Sequence, residues 1–375
     1  MAVWQRNSDG DVLPRRGQTG FAVAAQAIAR SWCAAAAAAL VAMAALAIWS
    51  PRLVHGEEPT PAVAVSQPGS RALRSIDPMP HDDLPGNAEP DVWCVSTRRL
   101  PTTSRVPLAP NLAVERFTEQ AEGRHCGRWH PDSLAGLLGD DAGKPLVFFI
   151  HGNRYDAAAA KQQGLLLARH CAAACPGGPA VRTVIFSWPS EQRGILLKDG
   201  RAKYERAFSE GRYMAWLLGQ IEPSRPVGIV AYSYGALITL ESLKDLVSAE
   251  RAGRTDLQPW LSRPAQTNLV FIAPAVRCDA LAPRGPYRET LECVDSLSLI
   301  INTSDDALRF FPWLDRRVNA DALGYVGMPR RWLPGHVAFS VVDGANIIGK
   351  NHGLPLYLAS PSLTKRLCGA ATGGL

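Results

Sequence analysis

The stretch VGIVAYSYGALITLESL, residues 227–243, decides the fold. Its first six residues, Val227 to Tyr232, carry no polar alternation, as in a strand covered on both faces of a sheet. The strand runs directly into a helix, and Ser233 stands at the junction. A turn this tight forces its central residue into a strained backbone conformation and projects the side chain beyond the sheet, which requires small neighbours on either side. Ala231 and Gly235 are those neighbours. The pattern is A-x-S-x-G rather than G-x-S-x-G, a departure that keeps the steric requirement, since Ala is the smallest side chain after Gly. A serine there also suits a helix cap, but the strand before it and the helix after it favour a nucleophile.

Working outward, similar apolar runs recur: PLVFFI ending at Ile150, VRTVIFSW ending at Trp188, NLVFIA ending at Ala273, LSLIIN ending at Asn302 and VAFSVV ending at Val342. All read as strands buried on both faces. They alternate with helical patterns, so the fold class is α/β with a mostly parallel central sheet flanked by helices. Residues 202–221 are one such helix, with Tyr204, Phe208, Gly211, Ala215 and Leu218 on the inner face and Lys203, Glu205 and Arg206 outside. VWCVSTR near Val92 and ERFTEQAEGRHCGRWHP read as an antiparallel opening of the sheet, with Trp93 buried.

If Ser233 attacks a carbonyl, two backbone N–H groups must meet the charge that develops on oxygen. Tyr234 supplies one. His151-Gly152-Asn153 follows the strand PLVFFI, and Asn153 N–H is the expected second donor, with Gly152 allowing close approach of the backbone. His151 beside it is expected to stabilise the turn. In this class of site the acid and then the base follow the serine along the chain. Asp305, at the end of LSLIIN, is the expected acid; Asp306 is read as a helix-start carboxylate. His352, in a loop after VAFSVV, is the expected base, since His336 precedes that strand and falls at the wrong edge of the sheet. Tyr232, Tyr234, Tyr155 and Trp188 either line an apolar pocket or pack the core.

The N-terminus carries a different signal. CAAAAAALVAMAALAIW, from Cys33 to Trp49, is uncharged and near the length that crosses a bilayer core. Arg6, Arg15, Arg16 and Arg30 precede it, so positive charge holds the short tail in the cytoplasm. The expected organisation is a cytoplasmic tail over 1–31, a transmembrane signal anchor over 32–50, a Pro- and Gly-rich flexible linker over 51–90 and a folded domain over 91–375. That places the domain outside the cytoplasm, in a bacterial periplasm or envelope. A cleaved signal peptide, with small-x-small sites such as Ala45-Leu46-Ala47, would make it secreted instead. Arg15-Arg16 is only a weak match to a twin-arginine signal.

Of the eight cysteines, all but Cys33 lie beyond the apolar segment. Oxidised pairs fit an exported domain. Cys171 and Cys175 share a helical pattern, while Cys94 with Cys126 and Cys278 with Cys293 are plausible loop closures; connectivity is not fixed by sequence. With neither a C-x-x-C doublet nor H-E-x-x-H, a metal site is not expected. The formal charge of +6 is scattered rather than gathered into a basic groove, which argues against a nucleic-acid partner.

VWCVSTR, FIHGN, FSWPS, AYSYGA, SDDALR and NHGLPLYL follow one another in an order that resembles the alpha/beta-hydrolase superfamily, in particular a poorly characterised bacterial esterase/lipase-like family. The resemblance runs from about Val92 to the C-terminus. It implies a serine hydrolase with a Ser233, His352, Asp305 triad, no cofactor, and a small-molecule or lipid ester substrate, without fixing which one. A non-catalytic membrane-anchored binding protein on this scaffold and an acyltransferase are the alternatives. Oligomeric state is not specified.

Overall fold

Runs of Val, Ile, Leu and Phe that present no polar face to water form the middle of a single large sheet in the computed structural model, which describes residues 4–6, 12–14, 90–119, 127–139, 141, 143–174, 178, 180–194, 196–314 and 319–374. In chain order its strands are β1 (Asp91–Ser96), β2 (Ala113–Glu119), β3 (Gly127–Asp132), β4 (Leu146–Ile150), β5 (Arg182–Ser187), β6 (Val227–Tyr232), β7 (Thr267–Ile272), β8 (Ser296–Ile301) and β9 (Ala338–Asp343). Their order across the sheet is β9-β8-β7-β6-β4-β5-β1-β2-β3. Pairing is parallel from β9 across to β1, and antiparallel from β1 to β2 and from β2 to β3. Parallel strands need crossovers, and the crossover helices cover the sheet faces. Every residue of β4 to β8 is accordingly buried.

The main helices are α1 (Ala157–Ala174), α2 (Leu196–Leu218), α3 (Gly235–Arg251) and α4 (Pro361–Ala371). They cover the sheet as two packed pairs, α2 with α3 and α1 with α4. The arrangement matters for chemistry because the loops leaving β4, β6 and β8 all emerge at the carboxyl end of the parallel strands, where sites in open α/β sheets form.

Several expectations need correction. β9 is not covered on both faces: it is the edge strand, and Val341 in it is 48% exposed. Along α2, Lys203 is buried and Arg206 half-buried. Arg206 turns inward because buried Glu210, itself bonded by the Thr97 hydroxyl at 2.6 Å, and the Leu100 carbonyl at 2.9 Å accept from its guanidinium. β1 opens an antiparallel edge toward β2 but also joins β5 in parallel, with Trp93 buried as expected. Among the described residues the disulfide is Cys171–Cys368, joining α1 to α4 with Cα atoms 5.3 Å apart. Cys278 and Cys293 are both free, as is Cys94 inside the sheet. Nearness in sequence did not decide pairing; the docking of α4 on α1 did. Burial pushes the Cys94 and Cys293 thiols up to about 12, so neither is a ready nucleophile.

The expected anchor at 32–50 and nearly all of the 51–90 linker lie outside the described residues, as do Cys126 and Cys175. Among the described residues no helix is long and apolar enough to cross a membrane. Trp4–Arg6 and Val12–Pro14 form a short antiparallel pair within a separate unit, Met1–Pro68.

Candidate active site

Ser233 has φ of +54° between β6 and α3. For a side chain with a Cβ this left-handed conformation costs about 1–3 kcal/mol, and it persists only where neighbours over-determine it. Here the Ser233 N–H donates to Ile272 O at 3.0 Å, and its carbonyl accepts from Ala275 N at 3.1 Å and Ala236 N at 3.2 Å. Small neighbours are needed because the backbones are close: a Cβ on Gly235 would lie 2.2 Å from Ile150 O. The strain expected from the sequence is present at the residue expected to carry it.

Asp305 lies just beyond β8 and is fully buried. Its Oδ1 accepts from the N–H groups of Ala307 at 2.9 Å and Leu308 at 3.0 Å, capping the short helix Asp306–Arg309. Its Oδ2 lies 2.6 Å from His352 Nδ1. With the Nδ1–H given to the carboxylate, His352 Nε2 is left as an acceptor, and the Ser233 hydroxyl is 2.9 Å away. The structure therefore brings Ser233, His352 and Asp305 together in one hydrogen-bonded line. His336 is elsewhere, 3.1 Å from Leu291 O.

The loop after β4 lies against the serine. A Cβ on Gly152 would come within 2.9 Å of the Ser233 Cβ, so only glycine lets that backbone, and with it Asn153, approach so near. Tyr234 follows the serine as the N-cap position of α3, whose amino end carries partial positive charge. Its phenol turns away from the serine and donates to Gly200 O at 3.3 Å, packed against Tyr204 with ring centroids 5.9 Å apart.

His151 is buried beneath this loop. Its Nδ1–H donates to Gly152 O at 2.9 Å, its Nε2 accepts from Trp188 N at 3.2 Å, and its carbonyl accepts from Trp188 Nε1 at 2.8 Å. Burial, outweighing the Gly152 hydrogen bond, lowers its pKa to about 3 and keeps the ring neutral. This is the turn-holding arrangement expected of it. Trp188, stacked on His151 at 5.7 Å, is fully buried, as are Tyr232 and Tyr234, while Tyr155 is half-buried.

Polar contacts made by two residues near the site were not anticipated. Asn302 donates from Nδ2 to Gly349 O at 2.9 Å and Asn351 O at 3.0 Å, and Tyr232 donates its hydroxyl to His352 O. Asn302 could have been suspected as a polar end to an otherwise apolar strand. Nothing in the sequence marks the Tyr232 hydroxyl. Among the described residues no group of three or more His, Cys, Asp or Glu is arranged to hold a metal ion.

A parallel sheet with flanking helices, and a strained serine between its central strand and the following helix, define an alpha/beta hydrolase. The chain belongs to the family described as alpha/beta hydrolase of unknown function (DUF900), whose pattern matches residues 131–328, more than half of its length. Among solved structures it is similar to Zea mays acyl-protein thioesterase 2, with 13% identity over 62% of this chain and 94% of that one at a TM-score of 0.31. It is also similar to an S-formylglutathione hydrolase from Agrobacterium tumefaciens, with 14% identity over 69% of this chain and 96% of that one at a TM-score of 0.29. No curated protein matches the sequence.

Proposed function

We propose that this hydrolase cleaves carboxylic esters through Ser233, His352 and Asp305, by way of an acyl-enzyme. The observation that carries the reading is the pair of contacts on one imidazole, 2.9 Å to the Ser233 hydroxyl and 2.6 Å to the Asp305 carboxylate. As Oγ attacks the substrate carbonyl carbon, its proton passes to His352 Nε2, and Asp305 stabilises the imidazolium so formed. The carbonyl π electrons move onto oxygen, where the N–H groups of Tyr234 and Asn153 meet the charge. Collapse expels the alcohol, which takes the proton from His352. Water then repeats the sequence on the acyl-serine and regenerates the free hydroxyl.

These steps need no cofactor. The φ of +54° at Ser233 supports the catalytic reading over a binding module, because strain at one serine serves to present its oxygen and gives nothing to passive binding. The proposed setting is the envelope side of a bacterial membrane, with residues 32–50 as anchor. The Cys171–Cys368 disulfide supports an oxidising compartment.

The test is labelling with a fluorophosphonate, followed by a screen of esters of graded acyl length. The full chain should take the label and Ser233→Ala should not. A Ser233→Ala variant that still turns over esters, or an unlabelled parent chain, ends the proposal.

A further inference from the structure

We infer that Tyr232 is a positioning residue for His352, its hydroxyl holding the imidazole on line with Ser233; the inference rests on the triad proposed above. The need for such a group follows from where the base sits. Residues 351–353 are irregular backbone between the short helices Ala345–Ile348 and Leu354–Leu358, so neither a strand ladder nor a helix fixes them. Each side-chain hydrogen bond of the imidazole can direct the ring only if the backbone beneath it stays in place.

That backbone is held from outside through four successive carbonyls. Asn302 Nδ2 donates to Gly349 O and Asn351 O, Asp306 N–H donates to Lys350 O, and the Tyr232 hydroxyl donates to the carbonyl of His352 itself. The first three restrain the approach to the base, whereas the Tyr232 hydroxyl grips the backbone of the residue that bears the ring. Tyr232 is also the residue immediately before Ser233, so one residue at the end of β6 ties the nucleophile's backbone to the base's.

Its ring reaches the remaining part of the site as well. The Tyr232 and His352 ring centroids are 5.2 Å apart, and Tyr155 packs edge-on at 6.3 Å. A Cβ on Gly152 would lie 3.1 Å from the Tyr232 ring. The ring thus packs close to both the loop that carries Asn153 and the loop that carries His352. Burial keeps the phenol pKa well above its ordinary value, so the hydroxyl holds its proton and can donate at neutral pH. The phenol is fixed by both shape and hydrogen bond, as a brace requires.

Tyr232→Phe removes the hydroxyl and keeps the ring. In the full chain it should lower kcat on an ester such as p-nitrophenyl acetate by about 10- to 100-fold, the scale set by a small misplacement of a catalytic group. KM should stay nearly unchanged, as should the thermal midpoint. Fluorophosphonate labelling should slow by the same factor, while the parent chain labels fast and Ser233→Ala not at all. A second measurement does not depend on turnover: the downfield proton NMR signal of the His352 Nδ1–H bonded to Asp305 should be present in the parent and broadened or lost in Tyr232→Phe. A parent that fails to label overturns the triad reading alone, since the NMR comparison still reports on the brace. Tyr232→Phe with unchanged kcat, or with an undisturbed Nδ1–H signal, overturns the positioning role, and so does a fall in KM performance and stability together, which marks a merely structural residue.

Discussion

Asp305 and Asp306 are adjacent in sequence but differ in surroundings. Asp305 is buried and uses both oxygens, one on the N–H groups of Ala307 and Leu308 and one on His352. Asp306 is half-buried in the first helical turn. Asp305→Asn keeps the volume but presents a neutral amide where the imidazolium forms, so esterase turnover should fall on the order of 10³- to 10⁴-fold, the size seen when a triad carboxylate is neutralised. Asp306→Asn should turn over near the parent rate. Steady-state kinetics on the two variants decides, and the reverse ranking would show that the acid has been placed on the wrong residue. The choice was legible because a side chain at a strand end converges on the serine. Asp306 stands in the first helical turn as read, whereas the additional N-cap role of Asp305 was not legible. His352 was likewise legible from chain order, whereas the Tyr232 hydroxyl that holds its carbonyl was not, because a tyrosine at the end of a buried strand reads as packing.

The central strands could be read directly because burial on both faces leaves a short uninterrupted apolar run rich in β-branched residues. Edge position has no such signature, and VAFSVV reads like its neighbours although β9 ends the sheet. Helix charges mislead for the opposite reason: a charged residue can face inward when a tertiary partner meets it, as Glu210 meets Arg206. Asp245 on α3 is such a residue with an incomplete answer. Burial pushes its carboxyl up to about 6, with Glu241 adding to the push and Arg212, Lys244 and Arg254 pulling against it. Its Oδ2 is buried without a hydrogen-bond partner among the described residues. A carboxyl whose folded pKa lies above its ordinary 3.8 binds more protons in the folded state, so its contribution to stability is complete below that value and is lost as pH rises through about 6. Asp245→Asn has no such loss. The urea midpoint of the variant, relative to the parent, should therefore climb between pH 4 and pH 6 and level off above it. A difference that is flat with pH would mean that the carboxyl ionises as freely folded as unfolded.

Across the whole domain, the segment that carries the proposed base is secured by a contact that no local pattern announces. After His352 the chain continues through the short helix Leu354–Leu358 into α4, and Cys368 of α4 is bonded to Cys171 of α1, the helix that follows the Gly152-Asn153 loop. One covalent link thus joins the two segments leading away from the proposed base and the proposed oxyanion donor Asn153. Sequence could count thiols and suggest neighbours, but partners 197 residues apart emerge only once α4 has docked. The same separation sets the energetic consequence. Closing a loop of this length in the unfolded chain is worth at most about 5 kcal/mol by chain entropy, and measured disulfides typically give about 2–4 kcal/mol. Cys171→Ser with Cys368→Ser should therefore unfold at a distinctly lower guanidinium concentration than the oxidised parent, and the parent treated with a thiol reductant should move toward the variant. Because α4 is packed against the sheet through buried residues other than the cysteine, the variant should still fold and label with fluorophosphonate in the absence of denaturant. Coincident denaturation midpoints for oxidised, reduced and substituted protein would show that α4 is held by packing alone, and that the covalent link adds nothing to the seat of the base.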